Sequence, residues 1–107
     1  MSTKEQRLDI ANTILAQLGG NRFIRMTGAK QFVALEQGLM FALPGRLAKL
    51  GVNKVRIELN ASDTYTMTTL RVNARQGEAI EVQCESYLYC DQLEETFETM
   101  TGVYTRF

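Results

Sequence analysis

The chain contains no histidine, and that absence excludes more than any residue present. Without imidazole it lacks the ordinary general base at neutral pH, the partner of most serine and cysteine nucleophiles, and the commonest zinc ligand. Most familiar hydrolase mechanisms drop out. Carboxylate chemistry of the kind used by glycosidases or magnesium-dependent nucleases survives in principle, but it needs acidic residues from several elements gathered around one cleft. Asp63 with Glu58, and Glu81 with Glu85, are the nearest approaches to a ligand pair, and neither has a third ligand at a recognisable spacing. The glycines of LGG and MTGAK do not make a phosphate loop, because G-x-x-x-x-G-K-[ST] is missing and Lys30 follows a turn instead of opening a helix. The reading is of a protein that is not an enzyme, with no catalytic, cofactor or metal site. A small carboxylate-dependent enzyme is the remaining catalytic alternative.

Cysteine is scarce: Cys84 and Cys90 are the only two, with no C-x-x-C spacing, so reduced, buried or half-buried thiols are expected over a disulfide. Long apolar runs are missing too, and nothing approaches the roughly 18 residues a membrane span needs. The first helix carries Lys4, Glu5, Arg7 and Asp9 where a secretory signal would be basic and then apolar. A soluble cytoplasmic protein is expected. Proline occurs once, at Pro44, and no window has linker composition. What is there is ordinary: 107 residues, 45% hydrophobic and 22% charged, which fits a single domain over 1–107 able to bury roughly two-thirds of its unfolded surface.

Net charge is zero, but it is unevenly spread. Residues 1–56 hold nine Lys/Arg against three Asp/Glu, a surplus of +6, and residues 57–107 hold three against nine, a surplus of −6. Such segregation suits a charged partner, nucleic acid for the first half or a basic protein surface for the second. The alternative is that the halves neutralise each other across the fold.

Helical spacing opens the chain. Ser2 with Glu5, or Thr3 with Gln6, fits a capping box, and Leu8, Ala11, Ile14, Leu15 and Leu18 make one apolar stripe ending at Gly19 and Gly20. Arg22–Thr27 and Gln31–Glu36 read as the arms of a hairpin turning at Gly28–Lys30, followed by a strand at Leu39–Leu43 and a short helical turn within Arg46–Asn53. Lys54–Asn60 alternates cleanly, with Val55, Ile57 and Leu59 on one face. In TYTMTTLRV the apolar phase shifts, which predicts a bulge near Thr68 and Thr69. Ile80, Val82 and Cys84 mark a last strand. Tyr89, Leu93, Phe97 and Met100 then stripe a final helix stopped by Gly102. The fold class expected is α+β: an N-terminal helix, an antiparallel sheet of about five to six strands and a C-terminal helix, with the helices packed on one face of the sheet.

Four stretches, ANTILAQLGGNRFIRMTGAKQF (11–32), LMFALP (39–44), VRIELNASDTY (55–65) and TGVYT (101–105), resemble a family of small uncharacterised bacteriophage and prophage (mobile-element) proteins. The first is the most specific, and between Thr66 and Leu88 the match is weak. The resemblance implies a context, a phage or mobile-element product acting inside a bacterial host cell, and it carries no mechanism or functional residues.

Two binding surfaces are candidates. Arg22, Arg25, Lys30, Lys54 and Arg56, interleaved with Phe23 and Phe32 that could stack on bases, would suit nucleic acid; the competing reading is a solvated basic sheet face with both phenylalanines in the core. Asp91, Glu94, Glu95 and Glu98 would suit a basic host or phage protein, against the competing reading of a solvent-facing helix side. A Thr-rich TYTMTT strand at a sheet edge would pair with a second copy, giving a homodimer. The expected function is therefore a non-catalytic phage or prophage accessory protein that binds a host or phage protein through a sheet edge or acidic helix, with nucleic-acid binding through a basic sheet face as the alternative.

Overall fold

After Leu18 the chain turns through Gly19 and Gly20 and enters a second helix, where a strand was expected. The computed structural model describes residues 4–44, 48, 51–73 and 75–103. Helix α1 spans Lys4–Leu18 and α2 spans Asn21–Thr27. Five strands follow, β1 (Lys30–Leu35), β2 (Gly38–Ala42), β3 (Lys54–Leu59), β4 (Tyr65–Asn73) and β5 (Glu78–Leu88). A 3-10 turn at Cys90–Gln92 leads into α3, Leu93–Thr101. The capping candidates Ser2 and Thr3, and most of the turn expected within Arg46–Asn53, lie outside the described residues.

The segment NRFIRMT supports either period over so short a window, and tertiary contact decides it. As a helix it places Phe23 and Thr27, four residues apart and both buried, on one face. Gly28 closes it in the left-handed conformation (φ 70°), donating its N–H to the Ile24 carbonyl at 2.9 Å. The hairpin therefore comes one element later: β1 returns as β2 through Glu36 and Gln37, with Leu35 opposite Gly38.

The sheet is an antiparallel meander in the order β1-β2-β3-β4-β5. Its register aligns Leu39, Ile57 and Met67 in one cross-strand row and Phe41, Val55 and Thr69 in the next. All six are buried. The core joins these rows to Ala11, Ile14 and Leu18 of α1, Phe23 of α2, and Leu93, Phe97 and Met100 of α3. Phe23 touches Phe41 and Phe97 edge-on, at centroid distances of 5.4 and 4.9 Å, so α2 and α3 meet over β2. Phe32 is half-buried, 5.4 Å from Phe41. Both phenylalanines are core residues, and neither is a platform for bases.

The expected irregularity opposite Thr69 is present, but the extra residue is in the partner strand. β4 runs without interruption against β3. Against β5 the register shifts between Tyr65 and Met67 and between Thr69 and Leu70, leaving Ser86 and Tyr87 opposite Thr66, and Val82 without a partner. An edge strand accommodates the extra residues where a strand paired on both sides does not. Tyr89 also departs from its expected place on the helical stripe. It is extended, donates its N–H to Gln92 Oε1 at 2.8 Å and is 63% exposed, so helical geometry begins only after it.

Tyr65, at the start of β4, is 6% exposed. Its phenol is pushed above the ordinary value of 10.0 by burial first, with the Cys90 and Asp63 charges adding and Gln17 opposing. As pH rises past 10.0 the unfolded chain loses this proton before the folded one, so the contribution, complete below pH 10.0, is lost as pH climbs toward the raised folded value. Urea midpoints measured across that window should fall more steeply for the wild type than for Tyr65→Phe. Parallel curves would show that Tyr65 is no more buried in the fold than in the unfolded chain.

Candidate functional site

The five basic residues expected to read nucleic acid do not share one surface. Arg22 and Arg25 are on α2, which covers the core face of the sheet, while Lys30, Lys54 and Arg56 belong to the opposite face. Arg22 Nη2 lies 3.2 Å from both Glu94 carboxylate oxygens, so a member of the basic set is engaged by a member of the acidic set. Arg56 is engaged as well: its Nη2 is 3.1 Å from Glu81 Oε1, and its Nε is 3.1 Å from Glu58 Oε1, within ion-pair range but without hydrogen-bond alignment. These three contacts all join the basic first half of the chain to the acidic second half. Exposed pairs of this kind are worth only about 0–1 kcal/mol, but they remove two of the five cations from a uniform basic face.

The remaining charge is divided along the strands. At the end where β1, β3 and β5 begin and β2 and β4 finish stand Lys30, Lys54, Arg71 and the turn residue Arg75, together with the carboxylates Glu78 and Glu81. Near the other end stand Glu36, Glu58, Asp63, Glu85 and Asp91. On the face away from the helices, Lys30, Ala42, Lys54, Leu70 and Glu81 form one cross-strand row. Sequence reasoning missed Arg71 and Arg75 because only the register of β4 brings them to the end occupied by Lys30 and Lys54.

Of the acidic set, Asp91 belongs to the 3-10 turn and Glu94, Glu95 and Glu98 to α3. Glu94 and Glu95 occupy the first turn of α3, where a carboxylate complements the helix dipole. Glu94 and Glu98 are half-buried and only Asp91 and Glu95 are exposed, so the stripe is narrower than its spacing predicted.

The Thr-rich run that would pair with a second copy is not at an edge. β4 is hydrogen-bonded to β3 on one side and β5 on the other, and Thr68 and Thr69 are 2% and 0% exposed. The homodimer expected from it loses its structural premise. One free edge belongs to β5, whose eleven residues are exposed except Val82 and Leu88. Tyr87 in β5 is 77% exposed with φ 59°, an uncommon conformation for an aromatic residue, and sits two residues from the exposed Tyr89. The cysteines are exposed and unbridged, contrary to the burial expected of them. Cys84 falls on the open side of the sheet opposite Thr68, and Cys90 opens the 3-10 turn. Between Gln76 and Val103 there is no Lys or Arg, against seven Asp and Glu. That stretch was the signal in the sequence for an acidic edge.

Among the described residues, no group of three or more Cys, Asp or Glu is gathered as a metal would require, and no helix is long and apolar enough to cross a membrane. No protein-family model, curated protein or solved structure matches the chain.

Proposed function

We propose that this is a non-catalytic accessory protein of a phage or prophage, acting inside the bacterial host cell by binding a host or phage protein along the free edge of β5. The observation that carries the reading is the edge itself: eleven residues that, among the described residues, are paired on one side only, bearing Glu78, Glu81 and Glu85 and no cation. A strand edge offers main-chain donors and acceptors to an extended segment, and alternate side chains select which segment pairs. The carboxylates favour a partner strand rich in Lys or Arg and oppose a second copy of β5, which would set acid against acid. Tyr87 and Tyr89 supply exposed aromatic area of the kind that anchors protein interfaces.

Affinity capture of the tagged protein from bacterial lysate, with and without infection, tests the reading. A protein partner should be recovered, hydrogen exchange should slow at the β5 amides in the complex, and replacing both tyrosines by alanine should weaken capture by about thirtyfold or more, the scale of one interface hot spot. Recovery of nothing beyond background, or protection confined to other elements, would refute it.

A further inference from the structure

On the face of the sheet away from the helices, β1, β2 and β3 present three successive cross-strand rows: Lys30, Ala42 and Lys54; then Val33, Met40 and Arg56; then Leu35, Gly38 and Glu58. Neighbouring rows are two residues apart along β2 and β3, roughly 7 Å. The first row is basic across these strands, and its lysines form no ion pair among the described residues. They border a groove of about 320 Å³ with Ala42 between them. The last row is acidic: Glu58, joined by Glu36 of the β1–β2 turn, borders a groove of about 390 Å³. Between the two charged rows Val33 is 48% exposed and Met40 is half-buried beside it.

The rest of the face is flat and internally neutralised. Arg56 is held on both sides, by Glu58 on its own strand and by Glu81 of β5, each at 3.1 Å. The contact with Glu81 crosses β4, where Thr68 and Leu70 are 2% and 8% exposed although they belong to this open face.

We propose that two copies of this chain associate through these faces, sheet on sheet, about a two-fold axis that runs across the strands along the Val33–Met40–Arg56 row. Stacked sheets lie about 10 Å apart with strand directions within about 30°, and a two-fold interface uses one self-complementary patch twice. Rotation about this axis exchanges the outer rows. Lys54 comes over Glu58 of the second copy, and Lys30 comes over Leu35 and the turn that bears Glu36. Val33 and Met40 meet their own counterparts at the centre, an apolar contact inside a charged rim. Arg56 also meets its counterpart, each guanidinium lying between two carboxylates. An axis along β2 would instead set Lys30 over Lys54 in both directions, like charges that oppose association. An unrelated partner would need the complementary order of charges, whereas a second copy carries it. The dimer leaves the β5 edge free and does not rest on the reading given for that edge.

Analytical ultracentrifugation of the full chain at low salt, up to about 1 mM, tests the proposal. The mass should rise with concentration from 12.1 kDa toward twice that value. Lys54→Glu and Glu58→Lys should each lower the association constant by about tenfold or more, because each sets like charges together at both ends of the interface. An equimolar mixture of the two variants should regain the wild-type affinity, since every reversed charge then meets its opposite. Val33→Lys changes an exposed position and should weaken association by a similar factor, while Tyr87→Ala with Tyr89→Ala should leave it unchanged. The concentration series needs no variant, and Val33→Lys serves if a charge reversal does not fold. The proposal is overturned by a mass of 12.1 kDa at every concentration, by a Val33→Lys protein that dimerises like the wild type, or by a mixture that stays monomeric while each variant melts as the wild type does. Loss of the dimer with the tyrosine pair would also overturn it, placing the contact on the β5 edge.

Discussion

Phe97→Ala should destabilise the protein by about 3–5 kcal/mol, the range for removing a fully buried phenylalanine. Its ring is completely buried on α3 and lies 4.9 Å from Phe23 of α2 and 6.1 Å from Phe41 of β2. Truncation therefore removes apolar burial and opens a cavity where three elements meet. Because small domains hold only about 5–15 kcal/mol in total, the loss should lower the melting temperature by roughly 15 °C or more and shift the urea midpoint while leaving the slope of the transition unchanged. Phe32→Ala is the control. That ring is half-buried at the β1 side of the cluster, where solvent refills part of the space, so the loss should be well under half as large. If the two variants lose equal stability, α3 does not lean on the sheet through Phe97.

Elements with one strong period were legible in the sequence. β3 shows this best: Val55 and Ile57 face the core, and Arg56 and Glu58 pair with each other on the other side. Helices α1 and α3 declared themselves by apolar residues at three- and four-residue steps, and Gly102 (φ 73°) marks where α3 ends. The helix α2 was hidden because seven residues fit both periods. Yet positive-φ glycines bracket it, Gly20 at 60° and Gly28 at 70°; read as the two ends of one short helix, not as the stop of the first helix and the turn of a hairpin, they would have signalled it.

The surfaces were less legible than the elements, for a different reason. A charge can be counted in a sequence, but its partner cannot. Arg22 and Glu94 are 72 residues apart and meet only because α2 and α3 share the Phe23–Phe97 contact. Similarly, TYTMTT has the composition of a strand wherever it lies, and only the strand order decides that it is interior and that the acidic β5 takes the edge. Arg71 and Arg75 sit in the acidic half of the chain, so halving the sequence hid them from the basic set to which the meander returns them.

Gly38→Ala should cost about 3 kcal/mol, near the upper end for forcing extra atoms into a packed site, although the change adds one methyl group and the backbone there needs no left-handed conformation. Gly38 is the first residue of β2, opposite both Leu35 and Glu58. A Cβ at this position would run into the Ile57 carbonyl oxygen and lie 3.0 Å from Glu58 Cα and 3.1 Å from the Ile57 carbonyl carbon. All three are backbone atoms of β3, so no side chain can rotate away and the strands themselves must separate. The next pair in the register, Leu39 with Ile57, is buried core on both sides, so separation would spread into it. Gly77→Ala is the informative comparison. Gly77 has φ 66°, and an added Cβ would meet nothing within 4 Å, so the cost there should be only the roughly 1–2 kcal/mol of holding an L-residue in the left-handed region. Hydrogen exchange separates the mechanisms: Gly38→Ala should expose amides shared by β2 and β3 while sparing those between β4 and β5, and Gly77→Ala should do the reverse at smaller amplitude. Equal losses at the two sites, or exchange rising first in β5 of the Gly38 variant, would mean that β2 and β3 have room to part at Gly38.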